Sequence, residues 1–304
     1  TTDIKEAISG ADVVMLVVPS TAHEYYANLL APILTPNIPV FLNPGHTCGG
    51  LHFVNELKKA GYTRRVSCCE TVTLTYICRM EGPTTVGIYA KVKNLLFGAF
   101  PAQNSEDLFA TIKSLYSEIL PASNVLETAL SNMNAVFHPP GMLMNTGWVE
   151  STGGDFLFYR QGMSPAVGRV TSAVDKERMA IAKALGVKTR SFLDNFFEAG
   201  LTTKEARDSN DISRACYESM PNRTIKSPSS LDDRYIHEDV GYGLVPMSEL
   251  GRMVQVSTPT IDAIIRLVSD ATDIPYYSDG LTLEKMGINN LDKDSLQRYI
   301  TQGS

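Results

Sequence analysis

An α/β domain followed by an all-helical domain is the fold class this sequence predicts, and three observations predict it. Residues 11–18 form a short, almost wholly apolar run that halts at Pro19, and helical and strand-like stretches then alternate behind it. A run of that kind reads as a strand buried on both faces, as in a parallel sheet covered by helices. Beyond residue 130 the texture changes: convincing strand runs cease, and helical periods follow one another. The 304 residues, 43% of them hydrophobic and 20% charged, are enough for two domains with substantial cores.

Taken in order, the first strand is followed by a helix over about residues 22–34 and a second strand over residues 39–43. A glycine-rich turn, Pro44-Gly45-His46-Thr47-Cys48-Gly49-Gly50, leads into a helix that ends near Ala60, and a third strand covers about residues 65–69. This is β-α-β-α-β, half of a doubly wound domain. The β-rich runs at residues 84–90 and 95–100 read as closing strands of the same sheet, ended by Pro101. Residues 106–120 carry apolar side chains at a helical period, and Pro121 stops that helix. In the second half, residues 164–185 form a long amphipathic helix with Gly186 just past its end. Shorter helices are predicted at about residues 191–197, 203–208, 212–220, 247–256, 260–272 and 293–301, with a polar loop over residues 221–233.

Composition excludes several classes. A net charge of -6 gives no basic stripe for nucleic acid. No apolar run approaches the roughly 18 residues of a membrane span, and no basic-then-apolar signal opens the chain. The cysteines, Cys48, Cys68, Cys69, Cys78 and Cys216, are odd in number, and two are adjacent. They suggest neither a disulfide framework nor, with the histidines, a metal site, so a reduced cytoplasmic protein is expected.

Chemistry is expected around residues 131–141, Ser-Asn-Met-Asn-Ala-Val-Phe-His-Pro-Pro-Gly. Ser131 can cap a helix on which Asn134 and His138, four residues apart, share a face. Pro139 and Pro140 predict that this helix kinks or restarts next to a titratable side chain. On these residues alone, a satisfied histidine at a bend is the plainer reading. Its candidate partner is Asp239, which closes the charged run of residues 234–239; a carboxylate beside a histidine fixes the tautomer and raises the pKa. Glu238 and Asp239 also fit a solvated turn or a helix cap. The Gly-x-Gly-x-x-Gly turn of a dinucleotide site is not found: Gly241-Tyr242-Gly243 has Pro246 at the third position and no strand leading in.

Two segments, Asn134-x-x-x-His138-Pro139 and Arg234-Tyr-x-x-Glu238-Asp239-x-x-Tyr-Gly-Leu244, resemble the octopine/nopaline (opine) dehydrogenase family. So do Val17-Val18-Pro19, Asn43-Pro44-Gly45 and Glu70-Thr71-x-Thr73-Leu74-x-Tyr76-x-Cys78-Arg79, although Thr75 stands where that family often has proline. The likeness extends to about Tyr277. It implies a Rossmann-type domain over residues 1–122, partial because the glycine-rich phosphate turn precedes the residues given, and a helical substrate domain over residues 123–304. It implies NAD(P)H-dependent reductive joining of an amino acid to a 2-oxo acid such as pyruvate, in a monomer or a homodimer. By this resemblance His138 is the general acid/base, Asp239 orients it, and Asn134 hydrogen-bonds the oxo acid or imine. Arg234 then faces the cofactor pyrophosphate, with Pro19, Ser20, Pro44 and Gly45 at the strand ends that bind NAD or NADP; a surface salt bridge to Asp232 or Asp233 is the plainer role for Arg234. His46 and Cys78 approach the oxo acid, whereas Arg160, Arg169 and Trp148 fit core or surface roles better than a pocket. Two rivals remain: a 2-dehydropantoate reductase-like ketone reductase, whose lysine base is replaced here by Asn134 and His138, and a truncated, non-catalytic binder of an amino acid or oxo acid.

Overall fold

A computed structural model describes residues 1–303. A first helix, α1 (Ile4–Ile8), is capped by the Asp3 carboxylate. Strand β1 (Val14–Leu16) and a 3-10 turn at Ser20–Ala22 lead to α2 (His23–Leu30), shorter than the sequence predicts. Strand β2 (Val40–Leu42), α3 (Gly49–Lys59) and β3 (Cys68–Thr71) complete the predicted alternation. β1, β2 and β3 are parallel neighbours, with Val14 beside Val40 and Val40 beside Cys68. Every residue of β2 is buried, as its uniformly apolar sequence requires.

Two expectations about this sheet are corrected. The run at residues 84–90 is not a closing strand: β4 (Tyr76–Gly82) and β5 (Thr85–Lys91) pair only with each other, as a separate antiparallel hairpin. Met80, Val86 and Ile88 stay exposed on it, so strand propensity was satisfied locally rather than by the sheet. Strand β6 (Leu95–Phe100) does join, antiparallel to β3. Helix α4 (Ser105–Leu115) then stops early, because Tyr116 is extended and β7 (Ile119–Pro121) pairs parallel with β6. The helical-looking Ile119 is therefore a buried strand residue. The final strand order is β1-β2-β3-β6-β7.

From here the described chain has no further named strand. Helix α5 (Val125–Ala129), capped by Asn124, packs against β6 and β3. Helix α6 (Asn134–Leu143) runs on through Pro139 and Pro140, so the predicted restart does not occur. Nor does Ser131 cap it: the Asn132 side chain accepts from the Asn134 amide, and Ser131 Oγ instead meets Thr189 Oγ1 at 3.1 Å. Helix α7 (Thr146–Thr152) precedes a π-helical turn at Phe158–Gly162. Helix α8 (Pro165–Leu185) begins at a Ser164 cap and ends at Gly186 with φ 73°, as predicted. Then follow α9 (Phe192–Glu198), α10 (Lys204–Asp208), α11 (Ile212–Tyr217) and α12 (Arg234–Asp239). After a second π-helical turn, Val240–Leu244, come α13 (Val245–Met253), α14 (Pro259–Thr272), α15 (Tyr276–Asp279) and α16 (Lys293–Gln302). Helix α16 returns to the sheet, where Tyr299 lies 5.0 Å from Phe100 between ring centroids. No helix among the described residues is long and apolar enough to cross a membrane.

Candidate active site

His138 sits mid-way along α6, 3% exposed, and α6 packs on α12 and on the turn behind it. The close approach depends on glycine. A Cβ on Gly243 would lie 2.6 Å from Ala135 Cβ, so any larger residue would hold the turn, and Asp239 with it, away from α6. The Gly-x-Gly that fails as a phosphate turn thus serves packing beside the carboxylate. Gly141 plays the same part on the other side, where a Cβ would meet Phe158 Cζ at 2.6 Å. That contact brings Tyr159, within its π-helical turn, over the histidine.

The result is a histidine held on every side. Nδ1 lies 2.8 Å from Asp239 Oδ2, and Nε2 lies 2.8 Å from the Tyr159 hydroxyl. Tyr235 stacks on one ring face at 3.6 Å and 6°, and Phe137 on the other at 4.3 Å and 18°. The Tyr159 and Tyr235 hydroxyls are 3.0 Å apart, and Arg79 Nη2 donates to the Tyr235 hydroxyl at 3.3 Å. Helix α12 that carries Tyr235 and Asp239 is capped by Asp233, whose carboxylate accepts from the Tyr235 amide at 2.9 Å. Burial, reinforced by Glu238, pushes Asp239 up to about 8. Burial, with the Arg234 and Arg79 charges, pushes His138 well below the ordinary histidine range, and Asp233 and Glu238 oppose that shift. The two groups share one hydrogen bond and titrate as a pair.

Phe137, His138, Tyr159 and Tyr235 line one wall of a cavity of about 520 Å³, while Asp239 is not among its lining residues. Arg79 and Cys78 reach it from the β4–β5 hairpin, Asn134 from α6, and Arg234 from α12. Apolar groups including Leu74, Ile77, Phe196 and Ile225 complete it. Arg234 forms its ion pair with Glu238, at 3.4 Å, rather than with Asp232 or Asp233. Glu238 in turn accepts from the Ser20 amide at 2.7 Å, tying α12 to the end of β1. Pro19 is exposed beside Ser20, while Pro44, Gly45 and His46 are buried at the end of β2. Gly45 lies directly against the Glu70 carboxylate, where a Cβ would overlap it. Arg160, Arg169 and Trp148 stay off the cavity: Arg160 stacks on Tyr217 at 4.8 Å, Trp148 stacks on Phe156 at 4.1 Å, and Arg169 is exposed. Sequence reasoning gave no role to Tyr159, Tyr235 or Arg79. The last two stood inside quoted motifs; Tyr159, in an apolar stretch, carried no signal.

Comparison with known proteins identifies the family of the chain. Residues 121–272 match the family described as NAD/NADP octopine/nopaline dehydrogenase, alpha-helical domain. An opine dehydrogenase of Arthrobacter sp. (strain 1C) is 37% identical over 295 residues, covering 96% of this chain and 79% of that protein. The protein named ocs of Agrobacterium tumefaciens (strain Ach5) is 25% identical over 301 residues, covering 98% of this chain and 81% of its own length. Among solved structures, an octopine dehydrogenase with NADH and L-arginine superposes with a TM-score of 0.78 at 21% identity, covering 100% of this chain and 81% of that one.

Proposed function

From the premise that the chain belongs to the octopine/nopaline dehydrogenase family, we propose that the His138–Asp239 pair is the proton source of its reaction. The protein is an NAD(P)-dependent oxidoreductase acting on CH–NH donors: it condenses an amino acid with a 2-oxo acid reductively and runs the reverse oxidation. The observation that carries the assignment is the 2.8 Å contact between Asp239 Oδ2 and the Nδ1 of His138, which lines the cavity.

Polar atoms left over at the strand ends fit a nicotinamide dinucleotide. Ser20 Oγ, His46 Nδ1 and Asp239 Oδ1 are buried without a hydrogen-bond partner among the described residues. Buried polar groups are normally paired, so these three fit a place for a polar ligand. Ser20, His46 and the Arg234 guanidinium would hold the cofactor, which supplies the hydride when bound. The surrounding residues do the rest. Arg79 is suited to a substrate carboxylate. The amino nitrogen adds to the ketone carbon, and its surplus proton passes to the oxygen. Loss of that oxygen as water consumes one further proton, supplied by the His138–Asp239 pair. Asn134 would hydrogen-bond the oxo acid or the imine, and the apolar wall with the hairpin keeps bulk water from the imine.

The reading is tested by NADH and NADPH oxidation with pyruvate or glyoxylate and a panel of amino acids. Turnover that needs both substrates and disappears in His138→Gln is expected. Equal turnover without an amino acid would instead make the protein a simple ketone reductase.

A further inference from the structure

We propose that the β4–β5 hairpin sets amino-acid specificity, its Met80–Val86 pair selecting substrates whose side chain is apolar and uncharged. The inference rests on the reductive-condensation reading above and names the substrate class which that reading leaves open. The hairpin pairs only with itself, outside the main sheet. Met80 and Val86 are cross-strand partners on it, 65% and 51% exposed, and both line the cavity that holds His138. Single exposed apolar side chains are ordinary. A cross-strand pair of them on the wall of a ligand cavity is surface for a ligand to cover.

The hairpin is tied to the reacting wall. Arg79, the residue before Met80, donates to the Tyr235 hydroxyl at 3.3 Å, and Tyr235 stacks on the His138 ring. A substrate whose reacting carbon lies at His138 can therefore extend along the hairpin. With pyruvate as the oxo acid, that partner ends in a methyl group, so the amino acid is the one with a side chain to extend. The helical half adds Phe196, Leu201 and Ile225 to the same lining, and the pocket around that side chain is apolar.

Charge argues against the other amino-acid classes. The lining holds three cations, Arg79, Lys226 and Arg234, and Asp233 is the one carboxylate among its described residues. One oxygen of Asp233 already caps α12, accepting from the Tyr235 amide at 2.9 Å. A lysine or arginine side chain would meet an excess of like charge and lose its water on entry. An acidic side chain finds the cations engaged: Lys226 pairs with Asp155 at 2.6 Å and Arg234 with Glu238 at 3.4 Å. Arg79 is left for a carboxylate that every substrate carries.

The test holds pyruvate and the reduced dinucleotide fixed and compares norleucine with lysine, which share a straight side chain and differ in the ammonium group. kcat/KM for norleucine is expected to exceed that for lysine by about 100-fold or more, with glutamate as poor as lysine. Met80→Glu, at an exposed position, is expected to lower the norleucine value about tenfold and to raise the lysine value, with KM for the dinucleotide unchanged. Met80→Leu should keep the wild-type preference. Equal use of lysine and norleucine, or a preference that Met80→Glu leaves unmoved, would overturn the proposal while condensation stands. Independently of turnover, 13C-methyl-methionine NMR with the dinucleotide present reads the Met80 methyl, identified by its loss in Met80→Leu. That signal is expected to shift with norleucine and not with lysine. Absence of turnover with every amino acid would sink the condensation reading, and a Met80 methyl that norleucine does not move would sink the apolar pocket.

Discussion

Tyr235 lies flat against His138, 3.6 Å between ring centroids and 6° from parallel, one residue after the arginine that pairs with Glu238. The same residue therefore packs the imidazole and closes the hydroxyl chain. Removing only its hydroxyl in Tyr235→Phe should cost about 1 kcal/mol of stability. Removing the ring in Tyr235→Ala should cost about 3–5 kcal/mol, since the side chain is 7% exposed. Urea unfolding of the two variants separates these roles; equal costs would mean that the stack contributes nothing.

Asp239→Asn keeps the shape of the pair and removes its proton. A reduction of kcat by about 10²–10⁴ is expected, with little change in stability. Burial, then Glu238, pushes Asp239 up to about 8, so the acid is present below that pH and absent above it. Wild-type condensation should accordingly fall off as pH rises through about 8, and the residual activity of Asp239→Asn should not. A fall-off that survives in the variant would assign it to another group.

Arg79 stands at the cavity mouth on the β4–β5 hairpin, with one nitrogen on the Tyr235 hydroxyl. Its guanidinium is placed to bind a substrate carboxylate, a contact of about 1.5–3 kcal/mol. Arg79→Met should raise KM for the 2-oxo acid about 10–100-fold, and KM for the dinucleotide should stay put. Should the dinucleotide constant move instead, the arginine belongs to the cofactor site.

The α/β alternation was legible because residues 39–43 are apolar on both faces and β2 is buried throughout; the same reading of residues 11–18 found the strand but not its burial, since β1 lies at the edge of the sheet and leaves Met15 and Val17 exposed. Strand β7 was not legible: Leu108, Ile112, Leu115 and Ile119 keep a helical period, although Leu115 is 58% exposed and Ile119 is buried in the sheet. The period continued by accident past the true helix end. The hairpin was readable as strand but not as a separate sheet, since propensity does not name a partner. Within the site, His138 and Asp239 are 101 residues apart; the charged run offered Asp239 as a candidate partner, and the resemblance favoured it over a solvated turn or a helix cap. Tyr159 gave no signal because its place beside His138 comes from a π-helical turn and from the space left by Gly141. Neither is written in local pattern.

Arg178 is a buried cation that locks the helical half together. It is 1% exposed, and its nitrogens meet Asp175 at 2.9 and 2.6 Å, the Arg190 carbonyl at 2.7 Å and Thr189 at 2.9 Å, besides the Leu130 carbonyl. Asp175 also accepts from the Phe192 amide at 2.9 Å, so the pair ties α8 to α9. Asp175→Ala would leave a buried guanidinium without its counter-charge, at about 3–5 kcal/mol. The double variant Asp175→Ala, Arg178→Met should recover part of that loss. A single-variant cost below about 1 kcal/mol, the size of a surface pair, would contradict this account.

Glu70, fully buried between the glycine-rich turn and α5, should make stability fall as pH rises. Its Oε2 accepts from the Gly50 amide at 2.8 Å, and its Oε1 meets the Thr128 hydroxyl, which also donates to the Val125 carbonyl at 2.9 Å. One hydroxyl proton cannot serve two acceptors, so the arrangement is satisfied when Glu70 is protonated and donates to Thr128. Burial pushes its pKa up from 4.5 to about 7, against the Thr128 and Gly50 hydrogen bonds. Between those two values the folded state holds a proton that the unfolded chain has released. Stability contributed by this group is therefore complete below about 4.5 and is lost as pH rises toward 7, by about 3 kcal/mol in total. Glu70→Gln can donate to Thr128 and accept from Gly50 at any pH, so it removes that loss. Urea unfolding of both proteins at pH 5 and pH 8 should show the variant gaining on the wild type at the higher pH. Parallel behaviour would mean that Glu70 is ionised in the fold throughout.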